Sequence, residues 1–239
     1  MRVASFAWVL LATGCPAPPP AAPTPEPALR FSLPVADGAL ISGVVGVDHD
    51  PEVHDDEGAL GRALCTNFAG DGFPACYDEH DGSDFILEGG FRAMDDGSVG
   101  VLAAAAGRVV EVVDEHYDRC HADAEAPSGV TCDGNPMIAN KIEIDHVDPA
   151  SGETVRTRYF HLMRDSALVE VGDAVSCGDA IGLVGSSGRS SMPHLHFEVN
   201  GSAGTDDVID PYAGPESQPT SWWSVQNDRF GLPASCDRD

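Results

Sequence analysis

Three stretches of this chain alternate polar and apolar residues, and none of the chain sustains a convincing amphipathic helix beyond two turns. A period of two puts successive side chains on opposite faces of a strand, which commits such stretches to sheet. In His194-Leu195-His196-Phe197-Glu198-Val199, His194, His196 and Glu198 share one face and the apolar residues the other. Lys141-Ile142-Glu143-Ile144-Asp145-His146 alternates likewise, and Thr154 to His161 puts Val155, Thr157, Tyr159 and His161 together. Gly107 to Val113 is a β-branched run, and Gly172-Asp173-Ala174 recurs as Gly178-Asp179-Ala180, the pattern of short strands joined by tight glycine turns. The expected fold is all-β and mainly antiparallel.

Thirteen Lys and Arg against 39 Asp and Glu leave a net charge of −26 in 239 residues. That balance excludes attraction to nucleic-acid phosphates and a polybasic hold on anionic lipid. Its plainest reading is a solubilising surface.

The first fifteen residues read as a targeting segment. Arg2 is followed by an apolar stretch from Val3 to Leu11 and by small residues ending at Cys15. A small-residue triplet before Cys resembles a bacterial lipoprotein signal, so the expectation is an exported chain, lipid-anchored at Cys15 in the cell envelope. Residues 16–30 form a Pro/Ala-rich spacer of extended character. In an oxidising compartment the other six cysteines form disulfides. Short loops point to Cys65–Cys76 and Cys120–Cys132, which leaves Cys177–Cys236 to tie down the tail.

The acidic run from Asp48 to Glu57 lacks the calcium-loop glycine, because Val53 stands in its place, and reads as a solvated loop. His116 and His121 lie in a polar loop, Glu115 to Asn135, expected to be a disulfide-stapled surface loop that borders a cleft. His49, His54 and His146 read as solvated or hydrogen-bonded side chains.

Three other segments carry the chemistry. His80-Asp81-Gly82-Ser83-Asp84 is a glycine-containing turn that folds His80 and Asp84 towards one cation. The His194/His196 pair lets one imidazole bind metal while its neighbour faces a substrate. Together they offer the His₂Asp set of a catalytic zinc with an open position, and His161 beside Tyr159 is placed to accept or return a proton. Glu198 either orients a ligand histidine or is a surface carboxylate.

HDGSD, RYFHL, the glycine-rich Gly185 to Pro193 and HLHFEV resemble the motifs of lysostaphin/LytM-type zinc metalloendopeptidases, which hydrolyse bacterial peptidoglycan. The resemblance runs from about Tyr77 to Tyr212. It implies a small β-sandwich or barrel-sandwich hybrid with a long groove, and zinc held by His80, Asp84 and His196. It also implies that His161 and His194 activate water and stabilise the transition state. The implied organisation is a signal over residues 1–15, spacer 16–30, extension 31–76, peptidase domain 77–213 and tail 214–239. Peptidoglycan stem peptides or cross-bridges are the implied substrate of a monomer. The alternative is a non-catalytic wall-binding or hydrolase-activating lipoprotein that keeps the fold. Two departures from the family pattern are Met192, where Gly is usual, and a long stretch from Phe85 to Val101 expected to alter a lip of the cleft.

Overall fold

The computed structural model describes residues 28–52, 65–73, 75–97, 99–126, 128–201, 204, 207–227 and 231–236. The signal, Cys15, most of the spacer and His54 lie outside these residues. Among the described residues eleven strands are present: β1 (Ile41–Val45), β2 (Ser83–Leu87), β3 (Gly100–Leu102), β4 (Gly107–Val113), β5 (His121–Ala122), β6 (Val130–Thr131), β7 (Lys141–Val147), β8 (Thr154–Phe160), β9 (Ala174–Val175), β10 (Ala180–Leu183) and β11 (His194–Asn200). Among the described residues there is one α-helix, α1, of six residues (Gly90–Asp95). The all-β expectation holds.

Seven strands form an antiparallel sheet in the order β1-β2-β11-β8-β7-β4-β9, with β10-β3 and β5-β6 as separate pairs. The alternation read from sequence sets its inner face. Phe85, Leu195, Phe197, Val199, Tyr159, Ile142 and Ile144 all belong to one buried cluster with Val101, Ile181 and Val184 of and beside the β3–β10 pair. Strand β11 lies between β2 and β8 and is buried along all seven residues. Truncating a ring such as Phe197 to alanine in a packed core of this kind costs about 3–5 kcal/mol.

The segment read as an extension adds to this same body. Strand β1 forms the sheet edge against β2, and Phe31 exchanges backbone hydrogen bonds with Trp222 and Ser224 of the tail. Trp223 is buried against Phe197 and Phe85, at ring-centroid distances of 5.6 and 6.3 Å. The tryptophan pair thus packs the tail down. All three disulfides pair as expected: Cys65–Cys76, Cys120–Cys132 and Cys177–Cys236.

Within the long stretch from Phe85 to Val101, Phe85 to Leu87 complete β2 and α1 follows. One expectation needs correction. His161 does not share a face with Val155, Thr157 and Tyr159. It lies just past β8 with φ of +62°, and this left-handed residue breaks the alternation that would have driven it into the core.

Candidate metal and catalytic site

The site sits where β2, β11 and the end of β8 meet. Asp84 lies on β2 rather than in the preceding turn and stands directly opposite His196, which in turn stands opposite Phe160 of β8. Cross-strand pairing therefore brings the first and last motifs, 112 residues apart, into contact. Gly82 permits the approach: a Cβ there would lie 2.7 Å from Cε1 and Nε2 of His196.

His80 Nε2 lies 3.1 Å from Asp84 Oδ1 and 3.2 Å from His196 Nδ1, and His196 Nδ1 lies 2.7 Å from the same carboxylate oxygen. These three buried residues form a group whose ligand atoms all fall within 4.8 Å of one another. His80 Nδ1 donates to Gly46 O at 2.6 Å. A carbonyl can only accept, so Nε2 presents its lone pair to the group. Asp84 is held well below the ordinary carboxylate range: burial opposes this, but the neighbouring imidazoles of His80 and His194 and the hydrogen bond from His196 prevail. For His196 burial favours the neutral ring, yet hydrogen bonds to Asp81, Asp84 and Glu198 raise it well above 6.5. The group is thus two imidazoles around an ionised carboxylate, with one exchangeable proton at Nδ1 among three electron-pair donors. A divalent cation that accepts N and O ligands suits this chemistry, and zinc matches a His₂Asp set.

His161 and His194 flank the group, with ring centroids 4.6 Å apart. His161 Nδ1 donates to Ser187 O at 2.6 Å and His194 Nδ1 donates to Met192 O at 2.7 Å. Both partners are carbonyls of the glycine-rich loop, so each ring leaves Nε2 as an acceptor. His194 Nε2 is 3.5 Å from Asp84 Oδ1, which places it beside the metal-capable group. Burial, then the charges of His194 and His196, push His161 well below 6.5; burial also lowers His194, against the pull of Asp84. Both imidazoles are neutral at pH 7 and can take up a proton.

The loop that orients them is itself anchored. Ser187 Oγ donates to Leu162 O and accepts from Asn140 N, each at 2.9 Å. Cys120 N donates to Ser186 O, and Ser186 Oγ donates to Cys120 O at 2.7 Å. The stapled loop therefore borders the site by direct hydrogen bonding. Met192 works through its main-chain carbonyl and has no left-handed φ, which is why the position does not need glycine.

Several participants were not legible in the motifs. Tyr77 packs against His80 with ring centroids 4.2 Å apart and planes tilted by 31°, and it donates to Asp84 Oδ2 at 3.4 Å. Gly46 O and Asn140 act through main-chain contacts across long sequence separations, and only the serine-rich loop composition hinted at the rest. Glu198 is buried, not a surface carboxylate. Among the described residues, no metal-capable group contains His116 or His121. His49 pairs with Asp210 at 2.8 Å, and His146 donates to Ala106 O within the core.

A family profile described as Peptidase family M23 matches residues 79–211, more than half of the chain. The peptidoglycan DD-endopeptidase ShyA of Vibrio cholerae is 43% identical over 65 residues, covering 27% of this chain and 14% of that protein. ShyC of the same organism is 41% identical over 69 residues, covering 28% and 14%. The chain thus matches only a small part of the length of these curated relatives. Among solved structures, the catalytic domain of lysostaphin from Staphylococcus simulans is similar at a TM-score of 0.37 and 26% identity, over 60% of this chain and 82% of that one.

Proposed function

Since the chain belongs to peptidase family M23, we propose that it is a zinc-dependent endopeptidase that hydrolyses peptide cross-links of bacterial peptidoglycan. The observation that carries this reading is the convergence of His80 Nε2, Asp84 Oδ1 and His196 Nδ1 beside two neutral imidazoles. The chain's similarity to the peptidoglycan DD-endopeptidases ShyA and ShyC supports the substrate class.

His80, Asp84 and His196 would hold the metal. When bound, zinc would supply Lewis acidity there, polarising the scissile carbonyl and bringing the pKa of water down to about 7. The chain supplies the proton traffic. Nε2 of His161 or His194 accepts the proton of the attacking water, and the resulting imidazolium donates from the same atom to the departing amine. The second ring lies 4.6 Å away by centroid and resists a second proton, since each charge depresses its neighbour. One imidazole therefore cycles while the other supports the developing charge through a hydrogen bond. The Nδ1–H anchors to Ser187 and Met192 fix the ring orientations throughout, so Nε2 remains the working atom.

Export and acylation at Cys15 would hold the enzyme at the envelope, where this substrate lies. The test is chelation and reconstitution. Protein stripped of metal should release no soluble fragments from purified peptidoglycan, and one equivalent of zinc should restore release. Undiminished release by the stripped protein would defeat the proposal.

A further inference from the structure

We infer that Glu198, clamped by Arg158, is a positioning residue that sets the ligating tautomer of His196; this rests on the zinc reading above. Glu198 follows His196 by two on β11, so both side chains project from the same face. One of its oxygens, Oε1, accepts from His196 Nε2 at 3.2 Å, and the other, Oε2, accepts from Arg158 Nη1 at 2.6 Å. The carboxylate is thus divided between the two partners. Arg158 stands directly opposite Glu198 in the β11–β8 register and directly opposite Glu143 in the β8–β7 register, and its Nε donates to Glu143 at 3.0 Å. A three-strand row of alternating charge therefore holds Glu198 in one rotamer.

The consequence for His196 is directional. A carboxylate at Nε2 keeps the hydrogen there, which directs the Nδ1 lone pair to the metal and raises its basicity. Asp81 also approaches Nε2, at 3.4 Å, but its side chain is 56% exposed, whereas that of Glu198 is 6% exposed. Solvent screens the first contact and not the second, so Glu198 carries the effect.

The experiment measures zinc dissociation constants by chelator competition for the full chain, Glu198→Ala, Glu198→Gln and Asp81→Ala. Melting of each metal-free protein establishes that it is folded. Loss of a metal-orienting partner of this kind weakens affinity by roughly 10–100-fold, which is the expectation for Glu198→Ala. Glu198→Gln keeps the volume, yet its single oxygen cannot serve Arg158 and His196 together, so about tenfold weakening is expected. Cobalt-substituted Glu198→Ala should show an altered ligand-field spectrum, a readout that a packing role would leave unchanged. Zinc affinities of both Glu198 variants within threefold of the parent, or a larger loss in Asp81→Ala, overturn the inference. A parent protein that binds no zinc defeats the zinc reading with it.

Discussion

Substituting Gly82 by alanine isolates the steric condition on which the site depends. Gly82 does not occupy the left-handed region, so alanine costs nothing in backbone conformation there. The added methyl would lie 2.7 Å from Cε1 and Nε2 of His196 and 2.9 Å from Phe197 O, where ordinary contact begins at 3.4 Å. Phe197 O belongs to the central strand, so the imidazole or the turn must yield by several tenths of an ångström. Forcing one methyl into packed surroundings costs about 1–3 kcal/mol. Expressed as lost zinc affinity, that range is roughly 5- to 150-fold, at 1.4 kcal/mol per factor of ten. A displacement approaching 1 Å lowers turnover by up to about 10²-fold even with metal bound. Chelator competition and cleavage of purified peptidoglycan at saturating zinc read the two effects separately. Parental affinity and parental turnover in Gly82→Ala would refute the claim that close approach of the turn to His196 shapes the site.

Replacing Cys120 and Cys132 together by serine should lower turnover while zinc stays bound, because that loop holds Ser186 next to the carbonyl that orients His161. The same change should lower unfolding free energy by about 3 kcal/mol in the chain-entropy account, measurable by urea denaturation. His80→Ala should lose zinc by elemental analysis, whereas His194→Ala should keep it and lose roughly 10²–10⁴-fold in turnover. The pH dependence follows from neutral, buried histidines. The folded-state values of His146, His161 and His194 are depressed, so the unfolded chain takes up protons first as pH falls. The contribution of these three is therefore full above about 6.5 and falls below it, whereas that of His196, raised above 6.5, is full below that value and is lost as pH rises. The acid limb of kcat/KM should likewise lie below 6.5, and a limb above that value would contradict the assignment of His161 and His194 as neutral acceptors.

The strand faces, and with them the side of β11 that carries His194 and His196, were readable because alternation reports burial directly, with Leu195, Phe197 and Val199 on the other face. The same rule misplaced His161, since one left-handed residue at the end of β8 inverts the face without altering the local pattern. The cross-strand pairing of Asp84 with His196 was not readable either, because register depends on partners far away in sequence. Gly46 and Met192 contribute main-chain carbonyls, which side-chain chemistry does not reveal. The disulfides were readable from loop length in an exported chain. Glu198 stayed ambiguous until its burial against Arg158 was known, a consequence of strand order rather than of local composition.

The central claim is tested most directly by mass spectrometry of the fragments that the zinc-loaded protein, lacking residues 1–15, releases from purified peptidoglycan, alongside His194→Ala. New peptide termini at one bond type, released by the parent and not by the variant, are the predicted result. Equal release by both proteins, or none from a zinc-bound parent, would contradict histidine-dependent peptide hydrolysis at this site.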